Sequence, residues 1–305
     1  MMNHIFSTLR SPITMVAIAS FILFGSKAYA QQPVVDTLPG QDTSVVTSTI
    51  VPAQDSIVPV QQAISHPQDS AIYYRLNKKF FVSIWDDAKY TVTRPLHWDK
   101  KDVTKFTVIL GLTTALAASD YEIKQFFITH RANAYTSVVR QVEPFGNAYG
   151  PYLVGGMYLA GVIAKDRRLE SAGLMAAKSL VISTAIYATI KSVVRRGRPS
   201  YFDSPFNFNA PGSNDKRFTS FPSGHSNTIM TVATAIAESY GKDHKWVPWV
   251  CYGIAGLTGI SRLYDNRHWS SDVLIGMSLG HFVTKSVFRH HREQEKKRAL
   301  QLKLM

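Results

Sequence analysis

Six apolar stretches of helical length, about 104–118, 151–164, 172–190, 226–240, 247–263 and 272–288, follow one another with polar or basic connections between them. Short alternating β-branched runs between turn pairs, the mark of strands, are scarce there. A chain patterned this way hides its apolar stripes helix against helix, so the expected fold is all-α, a six-helix bundle. Lys178, Glu238, His281 and Lys285 lie inside these stretches, and most stretches fall short of the ~20 apolar residues that a bilayer span needs. Several helices are therefore candidates for crossing a membrane, and length alone does not choose among them. The mean hydropathy is close to zero while 45% of residues are apolar, too polar for a chain made only of spans and too apolar for a disordered one.

The front of the chain reads differently. His4 and Arg10 precede an apolar run from Ile13 to Phe24, and Ala28-Tyr29-Ala30 then offers the small-x-small pattern of a cleavage site. Residues 1–30 are expected to be a signal peptide, with an uncleaved anchor as the competing reading. Residues 31–75 are rich in Gln, Pro, Ser, Thr and Val and are expected to be a disordered linker. In residues 76–100, Phe80, Phe81, Ile84 and Trp85 precede a polar stretch. That lead-in segment reads either as an amphipathic helix on a membrane surface or as a helix packed at the core's edge. Residues 101–290 form the helical domain and 291–305 a basic tail.

The formal charge of +13 is uneven, with eight of the surplus charges in residues 191–217 and 289–305. No aromatic-interleaved basic groove accompanies them, so nucleic acid is not the expected partner. An anionic substrate and an anionic membrane face fit the two clusters; no obligate protein partner is evident. Placing the basic tail and the turn Lys165-Asp166-Arg167-Arg168 on the cytoplasmic side follows the positive-inside rule. With six spans that also puts the segment before Val103 inside, where an export signal would send it outside, and the sequence leaves this conflict open. Cys251 is alone in an apolar run, which excludes an intrachain disulfide and a thiolate metal site.

Chemistry concentrates between Lys191 and Asp272. Lys191 and Arg198 are seven residues apart, nearly two helical turns, so on a helix ended by Pro199 both point one way and make a cationic clamp for phosphoryl oxygens. Phe221-Pro222-Ser223-Gly224-His225-Ser226 stands directly before a helical run. Ser223 or Ser226 can cap that helix, Gly224 lets backbone approach a ligand, and the free amides favour an anion. His225 then sits where a general acid for a leaving oxygen is needed. In the third group His268 and Asp272 are four apart, one turn of a helix beginning near His268, so the carboxylate can meet the imidazole. Arg262 supplies a third cation. Arg195 and Arg196 read as a solvated face, and His290-His291 as a solvated helix end with no carboxylate spaced to help bind a metal. Residues 203–214 read as a connector or a lid over the site.

Together these groups resemble the signature of the type-2 phosphatidate phosphatase and vanadium haloperoxidase superfamily: Lys-x6-Arg-Pro, then Pro-Ser-Gly-His, then Ser-Arg-x5-His-x3-Asp, with every fixed position matched in order over roughly residues 100–290. The resemblance implies a phosphoric ester hydrolase without a metal or other cofactor; the export signal and the apolar helical runs add the cell envelope, a site facing the periplasm and a phosphorylated lipid as the expected substrate. His268 would be the nucleophile and Asp272 its orienting partner. His225 would be the acid, and Lys191, Arg198, Ser223, Gly224 and Arg262 would bind phosphate. Two relatives of this reading use the same pocket: a soluble periplasmic acid phosphatase, and a haloperoxidase holding vanadate at His268. A non-enzymatic envelope scaffold is the reading furthest from the intact motifs.

Overall fold

The computed structural model describes residues 75–304; the expected signal peptide and nearly all of the expected linker lie outside them. Eight α-helices follow in order: α1 (Lys78–Thr93), α2 (Lys100–Thr129), α3 (Asn133–Val142), α4 (Tyr149–Ala164), α5 (Arg167–Val194), α6 (Gly224–Tyr240), α7 (Trp246–Tyr264) and α8 (Ser270–Lys303). No strand occurs among the described residues, and the six apolar stretches correspond to α2 and α4–α8. Their boundaries have local causes. Asp99 caps α2 through the Asp102 amide, Asp166 caps α5 through the amides of Arg168 and Leu169, and Ser223 caps α6 through the Ser226 amide. At its other end α5 closes on Arg195 in the left-handed region.

The core lies among α4–α8, built from Met157, Met175, Ile182, Val232, Ala255 and Val283 with their neighbours. α6 packs most extensively on α8. At Gly280 an added Cβ would stand 2.5 Å from the Asn227 carbonyl oxygen, and at Gly276 it would collide with the Ser223 carbonyl. These two glycines let α8 press against the capped start of α6, which is what places the third motif beside the second.

The lead-in helix α1 packs, and it does so through charge. Asp87 is fully buried and accepts from His290 Nδ1 (2.6 Å), His291 Nε2 (2.7 Å) and Lys178 Nζ (2.8 Å). The expectation of a solvated His290-His291 end is therefore overturned: His291 is buried, because its carboxylate partner comes from a helix some two hundred residues earlier. α1 meanwhile exposes Phe81, Val82, Trp85 and Leu96 just beyond it. α2 exposes Phe106, Val108, Leu110 and Leu112, and α7 exposes Trp246 and Trp249. Among the described residues one helix, α5, is long and apolar enough to cross a membrane. The basic tail continues α8 as helix to Lys303.

Candidate active site

Lys191 lies in the last turn of α5, but the helix stops at Val194 and Arg198 lies beyond it in a loop. The expected helical alignment of the two cations is thus incorrect. They converge through Thr219 instead: Lys191 Nζ donates to its carbonyl (2.7 Å) and Arg198 Nε to its hydroxyl (2.9 Å). The left-handed Arg195 (φ 47°) makes the turn that allows this. The segment is pinned by the connector 203–214, for Gly197 N donates to Asn207 O (2.7 Å) and Asn209 N to Arg195 O (3.0 Å).

Ser223 opens α6, fully buried, its hydroxyl accepting from Ser226 Oγ (2.9 Å) as well as the Ser226 amide. This arrangement turns the first amides of α6, those of Gly224 and His225, toward the mouth of the helix, where an anion is favoured. His225 Nε2 contacts Glu143 Oε1 at 3.0 Å. The same oxygen accepts from Arg262 NH1 (2.8 Å), and Arg262 NH2 reaches Asp265 (3.2 Å). Arg262 is therefore paired at both terminal nitrogens, while its Nε is buried with no partner among the described residues.

Glu143 is a member of the site that sequence reasoning missed. It sits in the 3-10 turn Glu143–Gly146 after α3. The hydrogen bond from His225, then the Arg262 charge, hold its carboxyl down to about 2 against burial. Gly146 is what lets this turn approach. A Cβ there would stand 2.7 Å from His225 Cβ.

His268 lies in the loop before α8, 5% exposed, with Nδ1 2.7 Å from the Ser220 carbonyl. A carbonyl only accepts, so Nδ1 carries the proton and Nε2 is left with its lone pair. Burial first, then the charges of Lys191, Arg198 and Arg262, push the His268 imidazole well below its ordinary 6.5. The helix begins at Ser270, two residues after His268, and the ring meets Asp272 at ion-pair range without a hydrogen bond. Nδ1 and Asp272 Oδ2 stand 3.9 Å apart. Asp272 instead accepts from Ser220 Oγ (2.5 Å) and the Trp269 amide (3.0 Å), so it holds the residues on either side of the ring.

Arg196 also departs from expectation. It is 4% exposed, reaching Asp272 (2.7 Å) and Asp120 of α2 (2.8 Å), because Asp120 is supplied by a helix that its own sequence neighbourhood does not reveal. Trp269 is buried, its indole donating to Gly197 O (2.8 Å). Among the described residues no three His, Cys, Asp or Glu side chains are placed to hold a metal ion.

Residues 172–296, which hold all three motifs, match the family model described as PAP2 superfamily. The chain is 40% identical over 77 residues to a lipid A 1-phosphatase of Porphyromonas gingivalis, covering 23% of this chain and 17% of that protein. It is 30% identical over 134 residues to a decaprenylphosphoryl-5-phosphoribose phosphatase of Mycobacterium tuberculosis, covering 43% of this chain and 69% of that one. Among solved structures, a transmembrane PAP2 type phosphatidylglycerolphosphate phosphatase from Bacillus subtilis superposes with a TM-score of 0.49 at 25% identity, over 63% of this chain and 96% of that one. With its three motifs gathered at one end of an all-helical body, the chain belongs to the PAP2 superfamily.

Proposed function

We propose that this protein is a membrane-associated phosphatase of the cell envelope that hydrolyses a phosphorylated lipid through a phosphohistidine on His268, with no step routed through a metal. The observation that carries the reading is the setting of His268: Nδ1 donates to the Ser220 carbonyl (2.7 Å), which leaves Nε2 to attack, and burial with the charges of Lys191, Arg198 and Arg262 disfavours protonation of the ring. In the first step Nε2 attacks phosphorus, the P–O bond to the lipid breaks, and the departing oxygen takes the proton of His225 Nε2. Lys191, Arg198 and the unpartnered Nε of Arg262, with the Ser223 hydroxyl and the Gly224 amide, hold the three equatorial oxygens. Glu143 Oε1, which can only accept, takes the hydrogen bond of His225 Nε2 and so orients that N–H until the substrate oxygen replaces it as acceptor. In the second step water attacks the phosphohistidine, its proton passes to His225, and cleavage of the P–N bond restores Nε2.

A lipid substrate is supported by the exposed apolar side chains of α2, α4 and α7 and by relatives named for lipid A 1-phosphate, a decaprenylphosphoryl sugar phosphate and undecaprenyl diphosphate. A periplasmic placement of the site is supported by the positive-inside reading of the basic tail, which puts the loops carrying the site on the opposite face from the cytoplasm. The test is phosphate release from phosphatidate, phosphatidylglycerol phosphate, undecaprenyl diphosphate, lipid A and a soluble monoester, comparing wild type with His268→Ala. Turnover of at least one lipid, lost in the variant with its unfolding midpoint unchanged, is expected. Near-normal turnover by His268→Ala removes the nucleophile assignment, and hydrolysis of the soluble ester alone removes the lipid.

A further inference from the structure

Two carboxylates, Asp120 and Asp272, lie buried beside His268, and one guanidinium is shared between them. Arg196 NH1 donates to Asp272 Oδ1 (2.7 Å) and NH2 to Asp120 Oδ2 (2.8 Å), while Nε is held by the Pro205 carbonyl (2.7 Å). Asp120 accepts in addition from Ser270 Oγ (2.6 Å), the Ser271 amide (3.1 Å) and Ser271 Oγ (2.5 Å). Ser271 Oγ also accepts from Arg196 NH1 (2.7 Å). Every carboxylate oxygen is therefore occupied, as burial demands. Replacing a buried ion network by apolar groups of similar size is often neutral or even stabilising, so stability alone is a poor account of this one.

A role for the network is visible in what hangs from it. Besides its amide, which donates to the Arg262 carbonyl (3.4 Å), His268 is located by two further attachments: its ring by the Ser220 carbonyl, and its backbone by the turn that starts α8 at Trp269. Both run to Asp272, which takes the Ser220 hydroxyl and the Trp269 amide on one oxygen. The other oxygen is held by Arg196, and Arg196 by Asp120. Asp120 lies in α2, outside residues 172–296 that match the family model. Resting on the reading of His268 as nucleophile, we propose that Asp120 and Arg196 are positioning residues that act on His268 through Asp272, so that a helix outside the motif-bearing segment sets the aim of the attacking nitrogen.

The test is a double-mutant cycle on kcat, using whichever lipid of the panel the wild-type enzyme turns over fastest in detergent micelles. Asp120→Asn and Arg196→Lys should each lower kcat by about 10- to 100-fold with KM within about twofold, the size expected of a misplaced reacting group. In an Asp272→Asn background, Asp120→Asn should cost less than about threefold more, because its route to His268 is already broken. If the two losses multiply, or if folded Asp120→Asn keeps kcat within about twofold of wild type, the proposal is overturned. Should Asp120→Asn fail to fold, Ser271→Ala removes one donor to Asp120 and one acceptor from Arg196 without changing charge, and a kcat loss under about twofold overturns the proposal equally. Failure of the underlying reading shows separately, as activity retained in His268→Ala.

Discussion

Replacing Glu143 by Gln removes one negative charge from between His225 and Arg262 while keeping the shape of the side chain. Glu143 titrates at about 2 instead of 4.5, a gap that corresponds to about 3.4 kcal/mol favouring the folded, ionised form. Its side chain is 33% exposed, and solvent screening reduces that figure by roughly half, to ~1.5 kcal/mol. For a body of this size the loss lowers the unfolding midpoint by roughly 3–6 °C at pH 7. Because the folded carboxyl is depressed, its contribution is complete above pH 4.5 and fades as pH falls toward 2. The gap between wild type and Glu143→Gln should therefore close over that window and be constant above it. Thermal unfolding in detergent at a series of pH values measures it. A midpoint difference under about 1 °C at pH 7, or one that persists undiminished at pH 3, refutes the idea that Glu143 is a charge partner of the site.

Gly146→Ala puts a methyl group against His225 and Thr258, so it should push the 143–146 turn away and reproduce the pH-dependent gap of Glu143→Gln, on top of an overpacking cost of about 1–3 kcal/mol; an unchanged midpoint would show that the turn yields freely. Asp272→Asn keeps an acceptor for the Trp269 amide but loses the charge facing Arg196, so turnover per folded molecule should fall, though less than in His268→Ala; equal losses would assign Asp272 a direct chemical part. His225→Ala should slow esters with poor leaving groups more than those with good ones, and a uniform loss across a leaving-group series removes its role as acid. Because burial and the charges of three cations push His268 below 6.5 in the free enzyme, the acid limb of kcat/KM should lie under that value, and a limb above it that moves with substitutions at Arg198 contradicts the assignment.

What the sequence disclosed and what it hid divide along a physical line. The Ser223-Gly224-His225 group was legible because a cap, a small residue and a helix start are local properties, and the structure puts the helix start at Gly224. Six of the eight helices, α2 and α4–α8, are legible from their apolar stretches, whereas the short α3 is not. The partner of His268 Nδ1 was not, since it is a main-chain carbonyl, and any residue at position 220 carries one. Glu143 and Asp120 escaped because they meet their partners 82 and 150 residues away, and nothing around either marks it as more than a surface carboxylate. Arg196 and His291 look solvated in the sequence because their carboxylates, Asp120 and Asp87, lie far along the chain. The convergence of Lys191 and Arg198 was anticipated with the wrong cause, because the left-handed residue that ends α5 is an arginine, a type that gives no sign of such a turn.

The last helix serves as a gauge of depth. Its 34 residues make a rod about 51 Å long, against ~30 Å for the oily interior of a bilayer. α2 runs beside it in the opposite sense, touching at Asp102 with Arg289 and at Asp120 with Ser270. Were that rod to stand upright across a bilayer, the nucleophile at one tip and the lysines near the other would face different compartments. A reporter attached near residue 300 would test this: a label found on the same side as the released phosphate would show that the rod does not cross.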